Sequence, residues 1–395
     1  MTPLSRRLAS IDAFRAVTML LMIFVNDLIL VRDAPRWLEH AELGEDRLGL
    51  ADTVFPAFLF IVGLSIPLAM SSGREKGMSR KDTVWHIFRR SFALLVMGIF
   101  QVNYENYTTG PALISKWWWM LSITIAFFFI WLIYPSNWSR ARKNVFRGIG
   151  IVALLVLALI YKGEKAGHIV WMRTQWYGIL GLIGWAYLIC ALLYFYIGER
   201  WFPLSAVFLF FVGMSIAWNA GWMSSIDTKP LFWWEDGIGI CGFTMAGVIT
   251  SVYYRRARGG ARALQSLFRL LLFVPLLLAA GFALRSIGGI SKLDVTPSWI
   301  LICSGISIGC FVLLAWVVDI RGRANWYQPI RAAGTITLTT YLIPYIHFAL
   351  FHIIGYRLPE VLRTGWTGAF KSLIFAFIIV LLAGVLERKK IRLSV

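Results

Sequence analysis

Charge is scarce in this 395-residue chain: only 15% of its residues are Asp, Glu, Lys or Arg, and acids number 20 against 39 Lys and Arg. A soluble globule carries about 25% charged and about 45–50% apolar residues. Here hydrophobic residues reach 58% and the mean hydropathy is +0.69, which excludes a water-soluble fold and makes a bilayer the natural solvent. Cysteine is also rare. Cys190, Cys241, Cys303 and Cys310 all sit in apolar runs without a CxxC or other ligand spacing, so no disulfide framework is implied and all four are expected as buried small hydrophobes. Of the five histidines, His347 and His352 are five apart and do not share a helix face well, which argues against a metal pair, and no metal is expected. His86 and His168 read as interface histidines. The chain has no Gly-rich phosphate loop, Walker motif or nucleophile elbow. It has no internal Pro/Ser-rich stretch either, so residues 1–395 are expected to form a single transmembrane domain.

What is present is a series of long apolar runs. A spanning helix needs about 20 mostly apolar residues. Such runs occur at approximately 10–31, 50–71, 84–103, 117–134, 146–162, 177–197, 203–219, 237–254, 266–286, 298–318, 332–354 and 369–386. The expected fold is therefore all-α and polytopic, with about twelve spans, or ten if the pair joined at Gly198-Glu199-Arg200 is lost. The first run is too long for a signal-peptide core and lacks a small-residue cleavage site, so it reads as a retained span. The 19 Trp and 28 Phe suit rings gathered at lipid–water interfaces.

Basic residues alternate between the two sides. Arg6, Arg7 and Arg15, the clusters at 74–90, 140–147, 255–269, 321–331 and 388–392, and Arg200 place 26 of the 39 Lys and Arg on one side. Only six of the 20 acids share that side. The positive-inside rule then puts both termini in the cytoplasm, in a membrane of bacterial inner-membrane type. Topology and contact with anionic lipid explain the +19 net charge, and nucleic acid is not needed.

Three segments break this apolar logic, and polar groups inside a membrane are costly enough to be functional candidates. In Ser10-Ile-Asp-Ala-Phe-Arg15, Asp12 and Arg15 are three apart and can pair on one helix face, with Asn26 and Asp27 at the far end of the same helix. His40 lies in the following loop, before a helix that opens with Asp52 and carries Pro56. A histidine titrating near neutrality suits general-base work or transient acylation, and equally suits a solvated loop. The third segment, Trp233-Trp-Glu235-Asp236-Gly237, sets two acids beside interfacial tryptophans.

The motifs Ser10-Ile-Asp-Ala-Phe-Arg15, Phe24-Val-Asn26, His40, Ala51-Asp-Thr-Val-Phe-Pro56 and Phe60-Ile-Val-Gly-Leu-Ser65 come in the order and approximate spacing of one family. Arg90-Ser91-Phe92 and Glu235-Asp236-Gly237 follow. In these the chain resembles the heparan-α-glucosaminide N-acetyltransferase family of membrane acyltransferases, most strongly over residues 8–100. It departs in carrying Ala16 for the family's Gly, Glu235-Asp236-Gly237 for Pro-Glu-Gly, and a slightly longer His40–Asp52 interval. The resemblance implies acetyl transfer from cytosolic acetyl-CoA to an amine on the far side of the membrane. His40 would be catalytic, with Asn26 beside the reacting centre and Asp52 in support. Arg15, Arg89, Arg90 and Ser91 are the candidates for the CoA end, since its phosphates call for Arg or Lys at the cytoplasmic mouth. Glu235 and Asp236 are candidates for the acceptor. Amine or hydroxyl acceptor, direct transfer or an acetyl-histidine, and a homodimer all stay open. A transporter or flippase for a small sugar-linked or anionic substrate is the competing expectation.

Overall fold

A computed structural model describes residues 8–108, 110, 112–223, 238–256 and 260–395. Its helices are α1 (Ala9–Leu28), α2 (Leu50–Glu75), α3 (Arg80–Asn103), α4 (Lys116–Trp131), α5 (Arg140–Leu159), α6 (Gly178–Ile197), α7 (Trp201–Asn219), α8 (Ile240–Arg256) and α9 (Gly260–Ala283). They continue as α10 (Pro297–Leu314), α11 (Arg331–Thr335), α12 (Thr337–Ile354) and α13 (Gly365–Arg388). Each expected apolar run contains one helix except 332–354, which is divided between α11 and α12 at Ile336. Nine helices among the described residues are long and apolar enough to cross a membrane, and α4 is apolar but only 16 residues long. The chain is thus a largely helical, polytopic membrane protein.

Several helix starts are written in local chemistry. Ser79 caps α3 by accepting from the Asp82 amide while Asp82 reaches back to the Ser79 amide, satisfying two otherwise orphaned groups. Ser115, Ser139 and Thr296 cap α4, α5 and α10, the last followed by Pro297 at the position where a missing N–H costs nothing.

Side chains sort by their two solvents. α1, α2 and α10 bury most of their length, whereas α9 and α13 present Phe268, Leu272, Leu276, Phe370 and Leu381 outward. Broad exposed apolar faces of this kind mark contact with lipid. Cys310 corrects one expectation. Cys190, Cys241 and Cys303 are buried, but Cys310 is exposed on the outward stripe of α10 that Leu313 shares one turn on. An apolar thiol facing lipid needs no burial by protein.

The innermost contact is the crossing of α2 and α8. A Cβ on Gly63 would lie 1.9 Å from the Thr244 carbonyl oxygen, and one on Gly247 would lie 2.0 Å from that of Phe60. Only glycine allows this approach, and Thr244 uses it to donate to the Leu59 carbonyl at 3.2 Å.

Two features depart from a purely helical expectation. Gly163–Lys165 and His168–Val170 form a small antiparallel ribbon with Glu164 opposite Ile169. After α10 the chain continues as a π-helix over Ala315–Ile320, delivering Asp319 to the Ser10 amide and hydroxyl at the start of α1. Leu8 and Val395 line the same cavity, so the described chain ends meet at one end of the bundle.

Candidate active site

His40 is carried by the loop between α1 and α2, and backbone geometry folds that loop onto the α2 N-terminus. The first amides of α2 lack intrahelical partners. Leu50 N donates to Trp37 O at 2.8 Å and Ala51 N to Leu38 O at 3.2 Å. Gly49 sits where a Cβ would be 1.8 Å from the Glu39 carbonyl oxygen, so the loop can close this tightly only on glycine. At the other side of the loop, Arg32 N donates to Arg363 O, and Gly365 N to Arg32 O, both at 2.8 Å.

The closed loop sets His40 Nδ1 2.7 Å from Asp52 Oδ1. Asp52 Oδ2 accepts from the Ala41 amide at 2.9 Å and the Gly49 amide at 3.1 Å. The Asp52 side chain is 1% exposed and that of His40 29%, so the carboxylate is sealed behind an imidazole that reaches the surface. A carboxylate only accepts, so Nδ1 carries the proton and a neutral His40 presents the Nε2 lone pair. Below them, Trp299 Nε1 donates to the Asp52 carbonyl at 3.0 Å, fixing α10 against the first turn of α2. Arg47 donates to the His40 carbonyl at 2.9 Å and pairs with Glu45 at 3.0 Å. Lys292, from the connection between α9 and α10, brings Nζ to 3.2 Å from His40 Nδ1.

The sequence candidates separate into those the fold gathers and those it does not. His40 and Asp52 are in direct contact. Asn26 is half-buried near the same end of α1, and among the described residues no hydrogen bond joins it to either. Its neighbour Asp27 is buried and paired with Lys371 of α13 at 2.5 Å. Glu235 and Asp236 lie outside the described residues.

At the opposite end of α1 a cavity of about 710 Å³ opens, within the usual range for ligand sites of about 300–1,000 Å³. Its polar lining includes Asp12, Arg15, Ser65, Ser72 and Arg90, and its apolar lining Met19, Met22, Ile61 and Ile183. Arg15 donates to Asp12 at 3.1 Å, to Ser65 Oγ at 2.8 Å and to the Gly334 carbonyl at 3.2 Å. Arg90 lies over the Tyr187 ring at 4.6 Å, and its buried Nε has no hydrogen-bond acceptor among the described residues. Arg89 points to the exposed face of α3 and Ser91 is buried away from the cavity, so neither lines it. The cavity follows α2 from Ser72 to Phe58, about 21 Å at 1.5 Å per residue. Phe58 is then about 9 Å of helical rise from Asp52.

The remaining histidines of α12 have aromatic partners: His352 stacks on Trp117 at 3.5 Å and His347 packs on Phe351 and Phe375. No cluster of three or more His, Cys, Asp or Glu that could hold a metal occurs among the described residues.

Residues 7–100 match the sequence model of a catalytic family described as heparan-alpha-glucosaminide N-acetyltransferase, catalytic. That stretch contains Arg15, Asn26, His40, Asp52 and Arg90. Among individual proteins, the chain is 40% identical over 112 residues to heparan-alpha-glucosaminide N-acetyltransferase of Homo sapiens, and 38% identical over 108 residues to that of Mus musculus. The alignments cover 28% and 27% of this chain but only 16% and 15% of the two relatives' own length. The match to that family's model is confined to the N-terminal stretch, residues 7–100. Lys292 and Trp299 fall beyond the family match, and no motif marked them.

Proposed function

We propose that the protein is a transmembrane acetyltransferase, taking acetyl groups from acetyl-CoA at the Arg15 end and delivering them to a sugar amine or hydroxyl at the His40 end. The observation that carries this is the cavity that runs from Arg15 and Arg90 toward a buried-carboxylate histidine on the other side. Its polar mouth suits phosphates: Arg15 is preset by three acceptors, and Arg90 has a buried donor to spare. Its apolar interior suits a pantetheine arm.

In the transfer, His40 Nε2 takes the proton of the acceptor N–H or O–H as that atom attacks the thioester carbonyl. A carbon–nitrogen or carbon–oxygen bond forms, the carbon–sulfur bond breaks, and the departing thiolate recovers the proton. Asp52 keeps the imidazole oriented and stabilises its charged form. Asn26, one turn beyond Met22 on α1, is the proposed donor to the developing oxyanion. The membrane frame that fits is twelve spans with both ends cytoplasmic, in a bacterial inner membrane, with an envelope sugar as acceptor.

The test is transfer of radiolabelled acetyl from acetyl-CoA to a panel of amino sugars by the purified protein in nanodiscs. Labelled product from the wild type and none above background from His40→Ala is the expected result. A folded His40→Ala variant with full turnover contradicts the mechanism, and flux of a sugar into sealed vesicles without CoA would favour a transporter.

A further inference from the structure

We propose that Lys292 is a positioning residue for the His40–Asp52 pair: it supplies the positive charge that buried Asp52 draws, so that the His40 imidazole stays neutral and keeps its Nε2 lone pair. A carboxylate sealed from water calls for a compensating charge. Asp52 contacts the imidazole at 2.7 Å, and the Lys292 amine lies beyond it, with Nζ 3.2 Å from the same Nδ1. Because Nδ1 already donates to Asp52, Lys292 cannot donate to it, and the two cationic forms compete for one carboxylate's field. A free amine is by far the stronger base, and on this proposal the proton is placed on Lys292.

The other cations around His40 are balanced elsewhere, and Glu39 and Glu42 beside it in sequence bring none. Arg47, which donates to the His40 carbonyl, is paired with Glu45, and Arg36 with Glu45 as well. Arg285 is matched by Asp46 at 2.7 Å, and Asp294 accepts from Ser291 Oγ at 2.7 Å. From α10, the Cys303 thiol and Trp299 indole approach the Asp52 carbonyl and bring no cation. Among the described residues this leaves Lys292 facing Asp52. Burial holds the Lys292 ammonium below its ordinary value, and the charge of Asp52 offsets that only in part. Its position is built, too. The connection is pinned by the Ile290 amide donating to Asp46 at 2.8 Å and by a turn in which the Thr296 amide donates to the Ser291 carbonyl at 3.1 Å.

The consequence for turnover rests on His40 acting as the base, but the charge arrangement can be read without any activity. Diethyl pyrocarbonate acylates only unprotonated imidazole. Its labelling of His40 as a function of pH, followed by peptide mass spectrometry on the full chain in nanodiscs, gives a midpoint for that residue. With Lys292→Met the imidazole must supply the countercharge, so the midpoint is expected to rise by about one to two pH units. Lys292→Arg should keep the wild-type midpoint, and Lys292→Gln serves if the Met variant is not monodisperse. A neutral variant that is folded and labels with the wild-type midpoint overturns the inference. A raised midpoint in a protein that transfers no acetyl group would leave the inference standing and refute the acetyltransferase instead.

Discussion

Asp46, in the loop that carries His40, grips the connection that carries Lys292: Oδ2 accepts from Arg285 Nε at 2.7 Å and Oδ1 from the Ile290 amide at 2.8 Å. The hydrogen bond from Arg285, and then that from the Ile290 amide, hold the Asp46 carboxyl below its ordinary value of 3.8. A lowered carboxyl value means the clasp is fully formed above the ordinary value and is lost as pH falls through the lowered one. At neutral pH, Asp46→Asn should mimic that loss. Faster hydrogen exchange across residues 284–296 and a severalfold drop in turnover are expected, with unchanged exchange in α2 as the control.

The Gly63–Gly247 crossing should tolerate no side chain. Gly63→Ala sets a methyl 1.9 Å from a backbone oxygen that cannot yield, so stability should fall by about 1–3 kcal/mol or more. Gly213→Ala, where a Cβ meets nothing within 4 Å, should change thermal unfolding by no more than about 0.5 kcal/mol.

The Asp27–Lys371 pair is buried between α1 and α13, and breaking it leaves a lone charge there. Lys371→Met should cost about 3–5 kcal/mol. Adding Asp27→Asn should recover much of that loss, because the orphaned charge is then gone. Thermal unfolding of the two variants in the same detergent checks both.

The two arginines of the cavity should act on the donor alone. A hydrogen bond to a charged group contributes about 1.5–3 kcal/mol, so Arg15→Ala and Arg90→Ala should each raise KM for acetyl-CoA by about tenfold or more. KM for the acceptor should stay where it is. Equal effects on both substrates would place the arginines outside the donor site.

Much of the frame was legible because its physics is local. Apolar runs mark helices, Asp12 and Arg15 meet because three residues make nearly one turn, and Ser79 announces its helix. His40 and Asp52 stood out as polar residues against apolar runs, and a resemblance concentrated in the first hundred residues implied their roles. The rest depends on contacts that no window of sequence contains. Lys292 reaches His40 from 252 residues away, and Lys371 reaches Asp27 from 344. Arg89 and Arg90 are neighbours in sequence but about 100° apart around α3, and only the packing of α6 through Tyr187 decides which one turns inward. The ribbon at 163–170 was too short to show a period, and the π-helix ending α10 has no sequence signature at all.

The central claim is that donor and acceptor meet from opposite sides of one membrane. It is tested most directly in proteoliposomes of known orientation, with acetyl-CoA supplied only to the Arg15 side and the amino sugar sealed on the His40 side. Acetylated sugar should accumulate in the His40 compartment with wild-type protein and not with His40→Ala. Product formed only when both substrates share one compartment, or formed equally by His40→Ala, would contradict it.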